Sequence, residues 1–422
     1  MITAKAFAGK HYAVYGLARS GLATVEALIA SGAKVTAWDG KEEARSNALA
    51  GVEIADLDRV DLGQFDSLVV TPGLPLNRHP IAQRAKDAGV EIIGDVELFA
   101  RARRELPPHK VVGITGTNGK STTTALVHHI LQTAGVPRLM GGNIGLPILS
   151  HDPLPEGGVY VLELSSYQID LTKSLDCDVA VLLNITPDHL DRYANFEAYA
   201  ASKRRLFAMQ SAGHVAAWDC NDLYADSVSF DLIVDSSRSG DVLEFDGSEP
   251  LDQSQWPTLQ GPHNASNAWA AFYTCVELGL SEETILRAFK SYPGLPHRME
   301  RIRDRDGVLF VNDSKATNAE AAAPALAAYP LVRWIVGGQA KGETLGDTAK
   351  HLDHVVAAYT IGEAGPMFAR LLRDAGVAVI ECETLENAVE RAAEDSQSGE
   401  TVLLSPASRS NRANIAAASP IA

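Results

Sequence analysis

The segment best suited to chemistry is rich in glycine and ends in a lysine followed by hydroxyl side chains. It reads GITGTNGKSTT over residues 113–123. Glycines let backbone N–H groups converge on phosphate oxygens, and a helix starting at the lysine would add its positive end. Lys120 would neutralise the outer phosphates of a nucleotide, and Ser121 or Thr122 would hold Mg²⁺. The pattern predicts a phosphate loop, although Ile114 stands where the general pattern has glycine. An ordinary capped glycine turn is the alternative.

Two further segments place acidic and imidazole side chains after apolar runs. VYVLELSSYQ over 159–168 carries Glu163, and NITPDHLDRY over 184–193 carries His189. The carboxyl ends of parallel strands form the edge at which α/β sheets bind ligands. A carboxylate there, beside a triphosphate, is a natural Mg²⁺ ligand. Taken alone, Glu163 could equally be a solvated strand end and His189 a structural histidine.

The elements that must position these residues alternate along the whole 422-residue chain. Short β-branched runs are followed by helical stretches rich in Ala and Leu, which predicts α/β architecture with parallel sheets. Turn-rich and Pro-rich segments divide the chain into a Rossmann-like domain (1–107), a central ATPase domain of the phosphate-loop type (108–296) and a second Rossmann-like domain (297–422). The basic and Pro-rich residues over 101–108 indicate the first linker. The predicted helix is 22–30, and the predicted strands are 12–15, 34–38, 110–114, 159–164, 179–183, 308–311, 334–336, 358–361 and 402–404.

Charge and cysteine content exclude several classes of protein. Lys and Arg total 37 against 53 Asp and Glu, a net charge of −16, which argues against nucleic acid or an anionic membrane as the main partner. The four cysteines form no CxxC pair, so a disulfide framework or structural zinc site is not expected. No apolar run approaches the roughly 18 residues of a membrane span, and no signal peptide is evident. We therefore expect a cytoplasmic protein without membrane insertion.

The glycine-rich segment GITGTNGKSTT resembles the ATP loop of the Mur ligase superfamily, which also includes folylpolyglutamate synthases. Those enzymes join an amine to a carboxylate with ATP, through an acyl phosphate. The resemblance extends over nearly the whole chain and all three predicted domains. The loop residues it assigns to ATP are Gly116, Thr117, Asn118, Gly119, Lys120, Ser121 and Thr122.

The resemblance also assigns the metal ligands and the catalytic residues. It implies two Mg²⁺ ions held by Ser121, Thr122, Glu163, His189 and Lys203. Lys203 lies in YAASKRRLF and matches a lysine that is carbamylated in these ligases, which converts a cation into a carboxylate-like ligand. Nothing in the chemistry of that segment alone indicates this modification. The implied catalytic residues are Lys120, Glu163, His189 and Lys203.

Further motifs are implied to contact the rest of ATP and the amino acid. Asn264 and Asn267 match residues near the adenosine, although Asn264 alone would be a helix cap. Arg298 matches a residue that grips phosphate, and Asp313 one that holds ribose. The residues matched to D-glutamate are Lys315, Thr317, Lys341 and Ser410. Beyond the serine the family has a Phe that closes on D-glutamate, whereas SRSNRANI from residue 408 onward lacks it, so we expect altered closure.

The first domain distinguishes members of the superfamily. GLARSG over 16–21 and Asp39 form a Rossmann-like fingerprint, in which the acid could hold a ribose of NAD or of UDP. TPGLPLNRHP over 71–80 resembles the uridine-diphosphate domain of members that add D-glutamate to UDP-N-acetylmuramoyl-L-alanine. The implied substrate-binding residues are Arg19, Ser20, Asp39, Thr71, Pro72, Gly73, Asn143, Ser165 and Gln168.

Taken together, the resemblance implies an ATP-dependent, ADP-forming amide ligase of peptidoglycan precursor synthesis. It would serve cell wall biogenesis, cell shape and cell division, as a cytoplasmic monomer with UDP-N-acetylmuramoyl-L-alanine and D-glutamate as substrates. Two alternatives stay open: another muropeptide ligase, or a catalytically impaired nucleotide-binding relative. The second metal site implied by His189 and Lys203 favours an enzyme, since a protein that only binds nucleotide does not need one.

Overall fold

A computed structural model describes residues 1–46, 51–189, 191–220, 242–339 and 344–408. The described chain forms three sheets and divides into two compact units. The first unit contains Met1–Gly247 and Trp269–Ala288, and the second contains Ser248–Ala268 and the described residues from 289 onward. Within the described part, none of the helices has the length and apolar content that crossing a membrane requires.

The first sheet has the order β3-β2-β1-β4-β5, with all neighbouring strands parallel. Its central strands are buried apolar runs because helices cover both faces. The helix predicted over 22–30 begins earlier, at Arg19. The glycine turn before it is shorter than predicted, because the polar residues Arg19 and Ser20 already belong to the first helical turn. The strands are β1 (His11–Tyr15), β2 (Lys34–Trp38), β3 (Glu53–Ile54), β4 (Ser67–Val70) and β5 (Glu91–Ile93). The helices are α1 (Arg19–Ala30), α2 (Glu42–Ser46), α3 (Pro80–Asp87) and α4 (Asp95–Ala102), with 3₁₀ turns at Lys5–Phe7, Leu62–Gln64 and Arg103–Glu105.

The second sheet is also parallel, in the order β11-β10-β9-β6-β8-β7. Its strands are β6 (His109–Thr115), β7 (Arg138–Gly142), β8 (Gly158–Glu163), β9 (Val179–Leu182), β10 (Val215–Asp219) and β11 (Val242–Phe245). The helices are α5 (Lys120–Thr133), α6 (Ser166–Asp170) and α7 (Phe196–Ala208), with a 3₁₀ turn at Ile148–Ser150. Because β6 lies between β8 and β9, the three segments that follow these strands meet at one edge of the sheet.

The third sheet has the order β12-β13-β17-β14-β15-β16, with β12 antiparallel at one edge. The predicted strands at 308–311, 334–336, 358–361 and 402–404 are confirmed, each longer than predicted. The strands are β12 (Glu300–Arg305), β13 (Val308–Asn312), β14 (Val332–Gly337), β15 (Val355–Ile361), β16 (Val379–Glu383) and β17 (Thr401–Leu404). The remaining helices are α8 (Pro262–Glu277), α9 (Glu282–Ser291), α10 (Ala319–Ala327), α11 (Gly365–Asp374) and α12 (Leu385–Asp395), with a 3₁₀ segment at Gly346–His354.

The basic segment predicted as a linker is instead part of a charged network inside the first unit. Arg101 lies on α4 and pairs with Glu97 at 2.9 Å and with Glu91 at 2.7 Å. Glu97 is 1% exposed and also accepts hydrogen bonds from the backbone N–H groups of Lys173 and Ser174. Side chains from the first sheet are therefore tied to the chain that follows α6. The boundary at residue 107 stays a prediction.

Candidate active site

The predicted phosphate loop has the expected context, since it connects the end of β6 to the start of α5. Gly116 and Gly119 adopt positive φ angles of 155° and 84°. A Cβ atom on Gly116 would lie 3.0 Å from the Cβ of Leu183, so the loop approaches the end of β9 more closely than a larger residue permits. The loop leads directly into the N-terminus of the 14-residue helix α5, whose positive dipole end favours a bound anion.

Lys120 folds back over the loop it belongs to. Its Nζ donates to the carbonyl of Gly116 at 2.8 Å and to that of Thr117 at 2.7 Å. Lys120 is itself the first residue of α5, so its side chain starts from the helix end that favours anions. The arrangement suits a cation that moves from backbone carbonyls to phosphate when a nucleotide binds.

Glu163 ends β8 and is aligned with Ile114 of β6. Its side chain is 2% exposed, and its Oε1 accepts a hydrogen bond from Asn143 Nδ2 at 2.7 Å. The other oxygen, Oε2, is buried and has no hydrogen-bond partner among the described residues. A buried carboxylate oxygen left unpaired is costly, and a hard oxygen donor is the type Mg²⁺ prefers. Glu163 therefore fits the predicted metal ligand, and Asn143, predicted to bind substrate, holds it in place.

His189 follows β9 and has a positive φ of 55°. Its Nε2 lies 3.5 Å from an oxygen of Asp188, and its ring centroid lies 5.0 Å from that of Tyr167. In the described ranges, no three His, Cys, Asp or Glu side chains converge as a metal site. The predicted ligand set contains only two residues of those types, so the role of His189 stays a prediction.

Lys203 lies on α7 with only 2% of its surface exposed. Its Nζ donates to the carbonyl of Gly116 at 2.7 Å and lies 4.7 Å from the ring centroid of Tyr199. Burial, with the nearby Lys120 cation, lowers the pKa of Lys203 to about 6. The neutral amine is therefore favoured at this position, unlike in the solvated lysine that the helical pattern indicates.

One residue with a role in this site was not assigned from the sequence. Asn184 directly follows β9, and its side chain hydrogen-bonds to the backbone of Asn118 in the phosphate loop. The available signal was an amide side chain immediately after a buried strand next to β6, at the start of NITPDHLDRY. That motif drew attention through its histidine instead.

The predicted uridine-diphosphate residues of the first sheet meet at one edge. Asp39 follows β2, and its two oxygens accept hydrogen bonds from the N–H groups of Leu17 and Lys41 at 2.8 and 2.9 Å. Arg19 donates to the carbonyl of Gly145, in the segment after β7, at 3.0 Å. Asp39 therefore stabilises the glycine turn, a role the fingerprint alone did not indicate.

The remaining predicted substrate residues lie after β4 of the first sheet, in α1 and around the start of α6. Thr71 follows β4, and Pro72 and Gly73 come next. Thr71 packs closely against Gly16, since a Cβ atom on Gly16 would clash with the hydroxyl oxygen of Thr71. Ser165 and Gln168 form a capping box on α6, with each backbone N–H donating to the side chain of the other. Ser20 lies in the first turn of α1.

In the second unit, several predicted nucleotide residues are buried. Asn264 lies in the first turn of α8 rather than at its cap, and its Nδ2 donates to the carbonyl of Gln260 at 2.9 Å. Asn267 Nδ2 donates to Asn264 Oδ1 at 3.1 Å. Arg298 has a buried Nε without a hydrogen-bond partner in the described residues.

Asp313 accepts hydrogen bonds from Ser405 Oγ at 2.9 Å and from the N–H of Met299 at 3.1 Å. Burial raises the pKa of Asp313 to about 6 despite these bonds. Lys315 and Thr317 follow it in the same segment, and the N–H of Lys315 donates to the carbonyl of His297 at 3.0 Å. Lys341 and Ser410 lie outside the described residues.

A glycine loop between a parallel strand and a helix, with one carboxylate oxygen left without a hydrogen bond on the neighbouring strand, defines a nucleotide-binding α/β protein of the phosphate-loop class. Three family models match along the chain. They are described as the Mur ligase MurD-like N-terminal domain at residues 10–94, the Mur ligase middle domain at 114–238 and the Mur ligase glutamate ligase domain at 297–408. The chain belongs to the Mur ligase family.

Curated relatives agree with this assignment. The chain is 58% identical over 407 residues to a protein of Novosphingobium aromaticivorans, covering 96% of this chain and 91% of that protein. It is 57% identical to a protein of Sphingopyxis alaskensis and 54% identical to one of Zymomonas mobilis, each time covering 96% of this chain and 94% of the relative. All three relatives are named UDP-N-acetylmuramoylalanine--D-glutamate ligase.

Solved structures support the fold. MurF from Acinetobacter baumannii matches with a TM-score of 0.60 at 18% identity, covering 92% of this chain and 90% of that one. The UDP-N-acetylmuramate-alanine ligase MurC of Thermotoga maritima matches with a TM-score of 0.58 at 17% identity, covering 98% of this chain and 100% of that one. The α/β fold with three Mur ligase domains is thereby confirmed.

Proposed function

We propose that the chain is an ATP-dependent, ADP-forming ligase that adds D-glutamate to UDP-N-acetylmuramoyl-L-alanine. The supporting observation is that relatives with this activity in their names are 54–58% identical over 96% of the chain. The geometry at the edge of the second sheet agrees, because the unpaired Oε2 of Glu163 belongs to the strand next to the phosphate loop. The names of the relatives favour this activity over a protein that only binds nucleotide.

In the proposed reaction, a carboxylate oxygen of the L-alanyl group attacks the γ-phosphorus of ATP. The new O–P bond forms as the bond to ADP breaks, giving an acyl phosphate. The neutral amine of D-glutamate then attacks the acyl carbon, and the C–N bond forms. The nitrogen gives up one proton and keeps the other as the amide N–H, and phosphate leaves with the former carboxylate oxygen. Lys120 would exchange its two backbone carbonyl partners for the γ-phosphate, which orients the phosphoryl group and offsets its charge.

The residues present fit the metal ions that the family implies. Glu163 would hold one Mg²⁺ through its unpaired Oε2, together with Ser121 or Thr122, and His189 would help to hold a second. When bound, Mg²⁺ offsets the repulsion between the carboxylate and the triphosphate, two anions that otherwise stay apart. Asn143 fixes the orientation of Glu163 so that Oε2 remains available.

Lys203 would also bind Mg²⁺, after carbamylation has converted its amine into a carboxylate-like group. Its neutral amine is the nucleophile: the Nζ lone pair attacks the carbon of CO₂, an N–C bond forms, and one proton leaves for solvent. The product is a carbamate anion beside the Lys120 cation, at a position where burial and Lys120 both disfavour the protonated amine. Lys120 would attract the carbamate, whereas it would repel a protonated Lys203, and this difference supports modification at this position.

The remaining substrate contacts would be those that the sequence predicts. The uridine diphosphate would contact Arg19, Ser20, Asp39, Thr71, Pro72, Gly73, Asn143, Ser165 and Gln168. D-Glutamate would contact Lys315, Thr317, Lys341 and Ser410, and the rest of ATP would contact Asn264, Asn267, Arg298 and Asp313. The protein would work as a cytoplasmic monomer in peptidoglycan precursor synthesis, and so in cell wall biogenesis, cell shape and cell division.

Phosphate release from the purified full chain tests this function. We expect release with ATP, Mg²⁺, UDP-N-acetylmuramoyl-L-alanine and D-glutamate, and only background release when either acceptor is omitted. A panel of other amino acids run in parallel separates this ligase from other muropeptide ligases. Turnover with a different amino acid and none with D-glutamate would contradict the proposal, as would nucleotide binding without any phosphate release.

A further inference from the structure

We propose that Asn184 is a positioning residue that holds the phosphate loop in the shape that receives nucleotide. Its side-chain amide pairs with both backbone polar groups of one loop residue, Asn118. The N–H of Asn118 donates to Asn184 Oδ1 at 2.8 Å, and Asn184 Nδ2 donates to the carbonyl of Asn118 at 3.1 Å. A single side chain thus fixes both polar faces of the loop at residue 118. The proposal rests on the nucleotide-binding function proposed above.

The backbone of the same segment continues this pairing. The N–H of Thr117 donates to the carbonyl of Asn184 at 2.9 Å. The N–H of Thr186 donates to Thr117 Oγ1 at 2.9 Å, and that hydroxyl lies 3.1 Å from the carbonyl of Thr186. Residues 117–118 and 184–186 therefore form a short ladder, of which the Asn184 side chain supplies the end nearest to α5.

The glycine at the start of the loop permits this ladder. A Cβ atom on Gly116 would lie 3.3 Å from the backbone N of Asn184 and 3.0 Å from the Cβ of Leu183. With a larger residue, the loop would have to move away from the end of β9, and the pairing with Asn184 would be lost. The close approach and the amide pairing are independent observations of one contact.

The pairing determines which N–H groups of the loop are left for a ligand. The N–H groups of Thr117 and Asn118 are both engaged with Asn184. Nucleotide phosphates would therefore be received by the groups that follow, at the start of α5, where the helix dipole is strongest. Asn184 would act on the nucleotide only through the loop, without touching it.

Equilibrium binding of a non-hydrolysable ATP analogue with Mg²⁺ to the full chain tests the proposal. For Asn184→Ala we expect Kd to rise about tenfold, or about 1.4 kcal/mol, with an unchanged KM for UDP-N-acetylmuramoyl-L-alanine. Asn387→Ala is the control, because it also removes an asparagine side-chain bond to a backbone carbonyl, that of Cys382 at 3.2 Å, in the second unit. Its Kd should equal that of the wild type.

A second variant keeps the test informative if Asn184→Ala folds poorly. Asn184→Asp retains the acceptor for the Asn118 N–H but loses the donor to its carbonyl, so we expect binding at least as weak as in the alanine variant. Unchanged or tighter binding in either variant would overturn the proposal, since the Asn184–Asn118 pairing would then have no effect on nucleotide affinity or would weaken it. A wild-type chain that does not bind the analogue would instead overturn the proposed function itself.

Discussion

Two buried glutamates in the first unit differ in how their oxygens are satisfied, and this predicts opposite effects of the same substitution. Glu163 has an unpaired Oε2, whereas Glu97 accepts four hydrogen bonds, from Arg101, Lys173 and twice from Ser174. In Glu163→Gln, the hydrogen bond from Asn143 is kept and a buried charge is removed. We expect the free energy of unfolding without metal to be unchanged or higher by about 1 kcal/mol.

The matched variant should lose stability. In Glu97→Gln, an amide NH₂ group replaces one carboxylate oxygen, and it then faces N–H or O–H groups that can only donate to an oxygen. The ion pair with Arg101 at 2.9 Å is also lost. Two acceptor sites and one partly buried charge pair disappear, so we expect a loss of about 3 kcal/mol. Neither Glu97 nor its partners belong to the proposed nucleotide site.

The two variants should also differ in how much a bound nucleotide stabilises them, and here Glu163→Gln is the variant that loses. Nucleotide at 100 times its Kd stabilises a protein by about 2.7 kcal/mol, and a hundredfold weaker Kd reduces this to about 0.4 kcal/mol. With Mg²⁺ and a non-hydrolysable ATP analogue, we expect Glu97→Gln to keep the stabilisation and Glu163→Gln to lose most of it. The assay is chemical denaturation with EDTA and with the ligand. If Glu163→Gln loses stability in EDTA like Glu97→Gln and keeps the ligand effect, the reasoning about the unpaired oxygen is wrong.

Three other predictions concern single side chains. Lys120→Ala should abolish phosphate release while the circular dichroism spectrum stays that of the wild type, because alanine is well tolerated in the first turn of α5; normal turnover would contradict the ATP assignment. Lys203→Ala should lose activity that short carboxylic acids partly restore, and a variant indifferent to them would argue against the carbamate. Asp313 has a pKa raised from 3.8 to about 6, so its contribution favours the folded state below pH 3.8 and is lost as the pH rises to about 6. Asp313→Asn should therefore gain stability relative to the wild type between pH 4 and 6 in urea titrations, and a constant difference would refute the pKa shift.

Much of the site could be predicted from the sequence because spacing determines it. A strand followed by glycines and Lys120 leaves the chain few conformations other than a phosphate loop. The position of Glu163 followed in the same way from an apolar run that ends at the sheet edge. What the sequence could not show is that Oε2 would be unpaired, since this depends on Asn143 approaching from the segment after β7.

Other features depend on contacts between distant segments. The helical pattern around Lys203 indicates a solvated lysine, yet packing against Tyr199 and the phosphate loop buries it. The edge strand Glu300–Arg305 is almost entirely charged, so its alternation carries no apolar signal. Asp39 has the residue type and position of a ribose ligand. Its hydrogen bonds from two backbone N–H groups depend on how the turn folds, which the sequence does not show.

The most direct test of the central claim follows the oxygen atoms of the acceptor carboxylate. UDP-N-acetylmuramoyl-L-alanine labelled with ¹⁸O in its carboxylate is incubated with ATP, Mg²⁺, D-glutamate and the full chain, and the released phosphate is analysed by mass spectrometry. If the carboxylate is phosphorylated first, each phosphate released carries one labelled oxygen and the new amide keeps the other. Phosphate without label, formed together with the amide product, would contradict the acyl phosphate route.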